Sequence, residues 1–542
     1  MQDVNLSRQK REELIDICNQ MRDKSPEDAA NINRIIQFIK DQKYGLQFEK
    51  HQEQVDIDLL TKIPVFTEDK SKKITSDASK PYNFLLEGDN LHSLKLLEKT
   101  HHGAIDVIYI DPPYNTGSEF VYNDKIISKD DGYRHSKWLS FMKERLDIAY
   151  KLLNANGAMF ISIDDNEYAN LKILCDAIAG ESNVETLIWN TIAEGNSGNM
   201  KQVHRVRNVH EYIIIVYKDK VSTYFNKINE ALAHITSLQT TNLAKNNANK
   251  RGDKERIFPI TNPQNGLSWT DEWKYSKDEV ERLQKEGLLH FGKDGKNKPR
   301  QILPTDDRRS VYLQTIVNKG STTVGRKDLE NVLGRGLFDN PKPLTLIKTL
   351  IRLHQNNNAT VLDFFAGSGT TGHAVLELNK EDGGNRKFIL CTNNEANICE
   401  EITYQRIKTV ITGVRADGSA YSSDIPANLK YFKTDFVERN TDIVPDELAQ
   451  HCSEMIELQH GINVDTIGVF DAKNILLKND DEADLLYENF SNYQNLEAIY
   501  IIEDTNECDS VILTNAQLDK FKNIPIISVP RWYFENEIME AK

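Results

Sequence analysis

Asp111 and Tyr114 are the residues best placed to do chemistry, in the run Ile105-Asp106-Val107-Ile108-Tyr109-Ile110-Asp111-Pro112-Pro113-Tyr114. The apolar part reads as a buried β-strand. Pro112 and Pro113 have no N–H to give to a ladder, so they end it. Asp111 and Tyr114 therefore fall at the carboxyl end of a strand, where open α/β sheets place their ligands. A carboxylate there can accept a hydrogen bond from an exocyclic amine, and a ring beside it can stack on a planar base. An enzyme that modifies an amino group on a base drawn out of a helix needs both. The competing reading is a strand-terminating Pro-Pro turn with a core tyrosine.

A second motif lies far downstream. Val361-Leu362-Asp363-Phe364-Phe365-Ala366-Gly367-Ser368-Gly369-Thr370-Thr371 is an apolar strand running into a glycine turn, followed by a helix over 373–378. Gly367 and Gly369 lack side chains, so backbone can approach a ligand closely. Alone, a strand and a Gly-x-Gly describe many nucleotide sites and plain tight turns.

The Asp-Pro-Pro-Tyr motif followed by the glycine motif resembles the β group of DNA amino-methyltransferases. More closely, it resembles the modification subunit of type III restriction–modification systems. The resemblance covers about 82–411, and the ends more loosely. It implies an α/β fold: the S-adenosylmethionine-dependent methyltransferase sheet, Rossmann-like and circularly permuted, mostly parallel with one antiparallel edge strand. It implies S-adenosylmethionine as cofactor, held by Asp363 (on the ammonium), Phe365, Gly367, Gly369, Glu395 (on the ribose), Lys342 (near the methionine carboxylate) and Asp89 (near the adenine). The bland readings are a helix-start acid for Glu395, an exposed turn lysine for Lys342 and a turn residue for Asp89. Asp111, Pro112, Pro113 and Tyr114 become the catalytic set. If Asp111 and the Pro112 carbonyl accept both amine hydrogens, the nitrogen lone pair is freed for in-line attack on a sulfonium methyl. No metal is needed. Adenine N6 and cytosine N4 both suit such a site, and Asp at the first position leans to adenine in this family. The resemblance also implies double-stranded DNA as substrate, a helicase–nuclease restriction subunit as partner and a homodimer. A solitary methyltransferase, an RNA or protein amide methyltransferase and a non-catalytic DNA-recognition chain are the alternatives.

The elements that position these groups follow from periodicity. Residues 7–42 read as helices, with Leu14, Ile17, Met21, Ile32, Ile35, Ile36 and Ile39 at helical spacing. The polar stretch 67–80 reads as a linker. Strands are expected at 84–87, 105–110, 158–163, 212–217, 361–364 and 386–391, and helices at 91–98, 138–153, 344–354 and 398–411. The resulting division is a helical region and linker at 1–80, a catalytic domain in two parts at 81–220 and 336–429, a target recognition domain at 221–335, and an acidic domain at 430–542.

Length and charge agree with several domains. The chain has 542 residues and a net charge of −15; a single core does not grow that large. Between 201 and 340 there are 25 Lys+Arg against 17 Asp+Glu, and from 431 to 542 there are 8 against 23. The basic segment supplies candidate phosphate contacts: Lys201, His204, Arg205, Arg207, Lys250, Arg251, Lys254, Arg256, Lys298, Arg300, Arg308 and Arg309, with Trp269 and Trp273 among them. The six cysteines are scattered without CxxC spacing, which fits reduced cytosolic thiols. None follows a proline, as the nucleophile of cytosine-C5 methyltransferases does. No GxxxxGK[ST] loop is present, so ATP-driven translocation belongs to a partner. No apolar run spans a membrane and the N-terminus lacks a signal-peptide core, so a cytoplasmic location is expected.

Overall fold

The structure is a computed structural model. It describes residues 6–24, 29–41, 52–77, 80–116, 133–192, 206, 208–230, 240–246, 249–302, 309–334, 338, 340–422, 424–439, 444–464, 467–503 and 510–541. The chain divides into a large unit, 1–226 with 314–542, and a small one, 227–313. Residues 314–335, included in the expected insert, pack with the large unit.

Ten strands form the sheet of the large unit: β1 (Lys62–Glu68), β2 (Tyr82–Glu87), β3 (Ile105–Ile110), β4 (Leu153–Ile163), β5 (Val184–Asn190), β6 (His210–Tyr217), β7 (Ile316–Val317), β8 (Thr360–Asp363), β9 (Lys387–Thr392) and β10 (Asn428–Glu438). Their order is β1-β10-β2-β9-β8-β3-β4-β6-β5-β7. Strands from β10 to β4 are parallel to their neighbours. Two strands run against the rest, β1 and β6. The expected single antiparallel edge strand is thus corrected. β6 lies inside the sheet, between β4 and β5, and the antiparallel edge is β1.

β3 and β8 carry the two motifs and are neighbours, with Leu362 opposite Ile108. From this pair the chain order diverges to both sides, which makes the crevice at their carboxyl ends a topological switch point. Every residue of β3 is buried, as expected for a parallel strand covered on both faces. Asp106 within it ties three strands together: its carboxylate accepts Thr360 N (2.8 Å) from β8 and Asn154 Nδ2 (2.9 Å) from β4.

Helices cover the faces. Arg134–Leu152 buries Trp138, Met142, Leu146 and Ala149 on one stripe, and Leu344–Leu353 buries Leu346, Ile347, Leu350 and Ile351. The described part of the stretch read as a linker is fixed structure. Its start lies in β1, and Ile74 and Leu429 exchange backbone hydrogen bonds of 2.9 Å. The expected boundary at 430 falls within β10. Beyond it, Asn474–Leu477, Ala498–Ile502 and Ile526–Val529 form a parallel three-stranded sheet. Leu476, Tyr500 and Ile502 join the main core, while Ile475, Leu477, Ile499 and Ile501 form a small core on the other face, the alternation expected of strands. Among the described residues no helix is long and apolar enough to cross a membrane.

In the small unit, Ile257–Thr261 pairs with Ser268–Glu272, and Trp273 is fully buried with its indole N–H on Phe258 O at 2.7 Å. Lys250 and Lys298 both pair with Asp271 at 2.6 Å, and Arg300 is held by Thr240 at 2.7 Å. Arg256 donates to Lys274 O at 2.6 Å. Arg251 and Lys254 are exposed, with no side-chain partner among the described residues. Lys201, His204, Arg205, Arg207 and Arg308 lie outside the described residues, as does the side chain of Arg309.

Gly325 shows how closely the frame is packed. It sits in the helix Thr322–Leu333, and a Cβ there would lie 2.0 Å from Pro341 O and 2.9 Å from the Lys342 carbonyl carbon. Gly325→Ala is therefore expected to lower stability by about 1–3 kcal/mol, read as a lower denaturant midpoint. An unchanged midpoint would show that this helix is not seated on the segment carrying Lys342.

Candidate active site

Two polar clusters lie at the carboxyl ends of β3, β8 and β9. The first gathers around Asp111. Lys342 Nζ donates to Asp111 Oδ1 (2.7 Å), Asp111 Oδ2 (2.8 Å) and the Tyr114 hydroxyl (2.8 Å), and Glu211 Oε2 lies 3.4 Å away. The Tyr114 hydroxyl faces Asp111 Oδ1 at 2.8 Å and Glu211 Oε2 at 3.0 Å. Its oxygen accepts from Lys342, so its one hydrogen goes to one of the two carboxylates. Burial drives the Tyr114 phenol well above its ordinary pKa, and the charges of Asp111 and Glu211 push the same way. Burial alone would lower the Lys342 ammonium, but Asp111 and Glu211 outweigh it and raise it. The cluster is thus a protonated lysine and a neutral tyrosine fixing one carboxylate.

The loop itself is pinned from behind. Trp138 Nε1 donates to Pro113 O at 2.7 Å. Asn115 adopts a left-handed φ of 54° and donates to Glu167 Oε1 at 2.5 Å. The same buried carboxylate takes hydrogen bonds from His135 Nδ1 (2.6 Å) and Asn170 Nδ2 (2.7 Å). Asparagine tolerates the left-handed region better than most residues, and Glu167 fixes its side chain there.

The second cluster surrounds the glycine turn. Gly367 and Gly369 have φ of 48° and 74°, and a Cβ on Gly369 would also meet Thr403 Cγ2 at 3.2 Å. Both positions need glycine. Gly369 begins the helix Thr370–Asp382. Asp363 closes β8 and accepts Phe365 N (3.0 Å) and the Thr371 hydroxyl (2.5 Å). Among the described residues it has no cation within 4 Å, and burial pushes its carboxyl up to about 7. Glu395 follows β9, and Ala396 and Asn397 after it are both left-handed (φ 49° and 61°). Its Oε2 is buried with no hydrogen-bond donor, and burial raises its pKa.

Other expected residues have protein partners of their own. Lys342 is drawn to Asp111 and Glu211 and leaves its charge there. Asp89 caps the helix Asn90–His101 through Leu91 N at 2.7 Å and faces the buried Arg145 at 3.4 Å. Phe365 is 5% exposed, with its ring 5.9 Å from that of Phe141. Glu211 and Glu167 carry no sequence signal: Glu211 opens an apolar strand, and Glu167 ends an acidic turn.

The raised Asp363 gives a pH prediction with a fixed sign. Unfolded, this carboxyl ionises near 3.9; folded, it keeps its proton to about 7. The native state thus holds the extra proton, and stability falls as pH rises through this window, by about 1.4 kcal/mol per unit. Between pH 5.5 and 8 the ligand-free wild type is expected to lose about 2 kcal/mol more than Asp363→Asn, measured by denaturant unfolding. Equal losses would mean that Asp363 is not desolvated.

Comparison with known proteins agrees with this geometry. A DNA methylase family model, for N6 and N4 amino-methyltransferases, matches residues 105–405, from β3 through the second cluster. The chain is 32% identical over 412 residues to the type III restriction-modification enzyme StyLTI Mod subunit of Salmonella typhimurium, covering 67% of this chain and 62% of that protein. It is 31% identical to the EcoPI Mod subunit of Escherichia phage P1, covering 62% of each. It is 30% identical to the type II methyltransferase M.KpnI of Klebsiella pneumoniae, covering 65% of this chain and 90% of that one. The match spans about 62% of the length of the two Mod subunits. With the family model covering more than half of its length and both motifs meeting at the carboxyl ends of neighbouring strands, the chain belongs to the N6/N4 DNA methylase family.

Proposed function

We propose that this protein transfers a methyl group from S-adenosylmethionine to the N6 amine of adenine in double-stranded DNA, as the modification subunit of a type III restriction–modification system. The observation that carries the reading is the carboxylate of Asp111, fixed by Lys342 and Tyr114 at the end of β3 and beside β8.

The second cluster fits the cofactor. Asp363 is a buried acid lacking a cation, and the cofactor's ammonium would answer it. Glu395 has a buried oxygen lacking a donor, and ribose hydroxyls are donors. Gly367 and Gly369 leave room for backbone contact. When bound, the cofactor supplies an electrophilic methyl on a sulfonium. Everything else falls to the chain. Asp111 accepts one amine hydrogen and the Pro112 carbonyl the other, which localises the nitrogen lone pair. Lys342 keeps Asp111 in place. The Tyr114 ring offers a face for the extruded base, in exchange for part of the stacking lost from the helix. Positioning of the two reactants supplies much of the rate.

Asp at position 111 favours adenine over cytosine N4 through the family resemblance. The Mod subunits to which the chain is similar support a restriction subunit as partner; a homodimer as the working form rests on the family resemblance alone. The small unit 227–313, with exposed Arg251 and Lys254, is the proposed target-recognition element, its cations contributing salt-dependent phosphate contacts. M.KpnI, named a type II methyltransferase and matched over 90% of its length, favours a second reading: a DNA methyltransferase outside a type III system.

The direct test incubates the protein with methyl-labelled cofactor and unmethylated DNA and digests the DNA to nucleosides. Label in N6-methyl-2′-deoxyadenosine is expected. Label in N4-methyl-2′-deoxycytidine would overturn the base, and label found only on RNA added as competitor would overturn the substrate.

A further inference from the structure

Arg406 lies directly beneath the glycine turn. It is entirely buried on the helix Gln405–Thr412, which continues a π-helical turn, Ile398–Tyr404. One turn earlier, the Thr403 hydroxyl donates to Gly367 O at 2.6 Å. Arg406 Nη1 donates to Thr370 Oγ1 (2.8 Å), Ser368 Oγ (3.2 Å) and Ser368 O (3.3 Å). Its Nε donates to His373 Nδ1 at 3.3 Å. Nη2 is buried with no acceptor. Among the described residues, no carboxylate lies within 4 Å of the guanidinium.

Asp328 and Glu377 attract this buried cation only from beyond ion-pair distance, so its desolvation is incompletely compensated. Its surroundings point to what would answer it. Ser368, Gly369 and Thr370 form the start of a 13-residue helix whose first turn has no side-chain cap, and such an end favours an anion. Both hydroxyl oxygens accept from Arg406. Ser368 and Thr370 can use only one hydroxyl hydrogen between themselves, at 3.2 Å, so the other is left to donate. Lys342 spends its charge on Asp111 and Glu211.

We propose that Arg406 is the positioning residue that makes the glycine turn a carboxylate site, selecting ligands that keep the amino-acid carboxylate of S-adenosylmethionine. It acts through the hydroxyls of Ser368 and Thr370 and the field at the helix start. The inference rests on the cofactor reading above. Burial lowers the pKa of this guanidinium to about 10, still cationic at neutral pH.

The test is equilibrium binding, without turnover. Wild type, Arg406→Met, Arg406→Lys and the double variant Ser368→Ala/Thr370→Val are titrated with S-adenosylhomocysteine and with its decarboxylated analogue, which keeps the amine. Arg406→Met and the double variant are expected to weaken S-adenosylhomocysteine about ten- to hundredfold, and the decarboxylated analogue less than threefold. Arg406→Lys should recover part of the loss. Equal losses for both ligands in both designs would reduce Arg406 to a structural role and overturn the proposal. So would no loss for either ligand. A wild type that binds neither ligand would overturn the cofactor reading and this inference with it.

Discussion

The ion pair between Lys342 and Asp111 is the constraint on which the site depends. It joins residues 231 positions apart, one from each half of the sheet domain, across the whole of the small unit in sequence. The lysine side chain is only 9% exposed, so neither partner can be lost cheaply. Everything around it serves placement. Pro112 and Pro113 end β3 at the carboxyl side of the sheet. Trp138 and the Asn115–Glu167 contact hold the loop beyond them. Gly325 lets a helix seat against the Pro341–Pro343 backbone, which aims the lysine. Glu211, entering from β6, shares the ammonium and the phenol.

The second cluster is built in the opposite manner. Asp363 has no cation, Glu395 Oε2 has no donor and Arg406 has no carboxylate within ion-pair distance among the described residues. Each is a buried polar group held at a cost in the free protein. The three sit around one glycine turn and the end of the next strand, and their needs are those of a zwitterion and a diol. The left-handed pair Ala396 and Asn397 after Glu395 adds backbone strain at the same place, which is where functional sites keep it. Fixed charges in the first cluster and unsatisfied ones in the second suit the proposed division between methyl acceptor and methyl donor.

Both motif strands could be read from sequence because parallel strands buried on two faces leave continuous apolar runs, punctuated by Pro112-Pro113 and by Gly367. Helices 134–152 and 344–353 were legible from their stripes. β1 was not: Pro64 interrupts its short apolar run, and its polar continuation looks like a linker until the bridge of Ile74 to Leu429 is seen. β10 crosses the composition change near 430, so charge misplaced a boundary that sheet pairing decides. At the site, Asp111 and Asp363 were legible because each ends a strand. The destination of Lys342 was not, because family position says nothing about which of two nearby anions captures an ammonium. Glu211, Glu167 and Arg406 are a strand-start acid, a turn acid and a helix basic residue in sequence. Only tertiary packing gives them partners.

The most direct test of the account is single-turnover methyl transfer to DNA by Asp111→Asn, alongside its affinity for S-adenosylhomocysteine. The amide keeps the shape of the side chain but replaces one acceptor oxygen with a donor and removes the charge facing Lys342. Transfer is expected to slow by a factor on the order of a thousand, with cofactor-product affinity held within a few fold. Transfer at the wild-type rate would show that this carboxylate does not accept the amine, and would contradict the account at its centre.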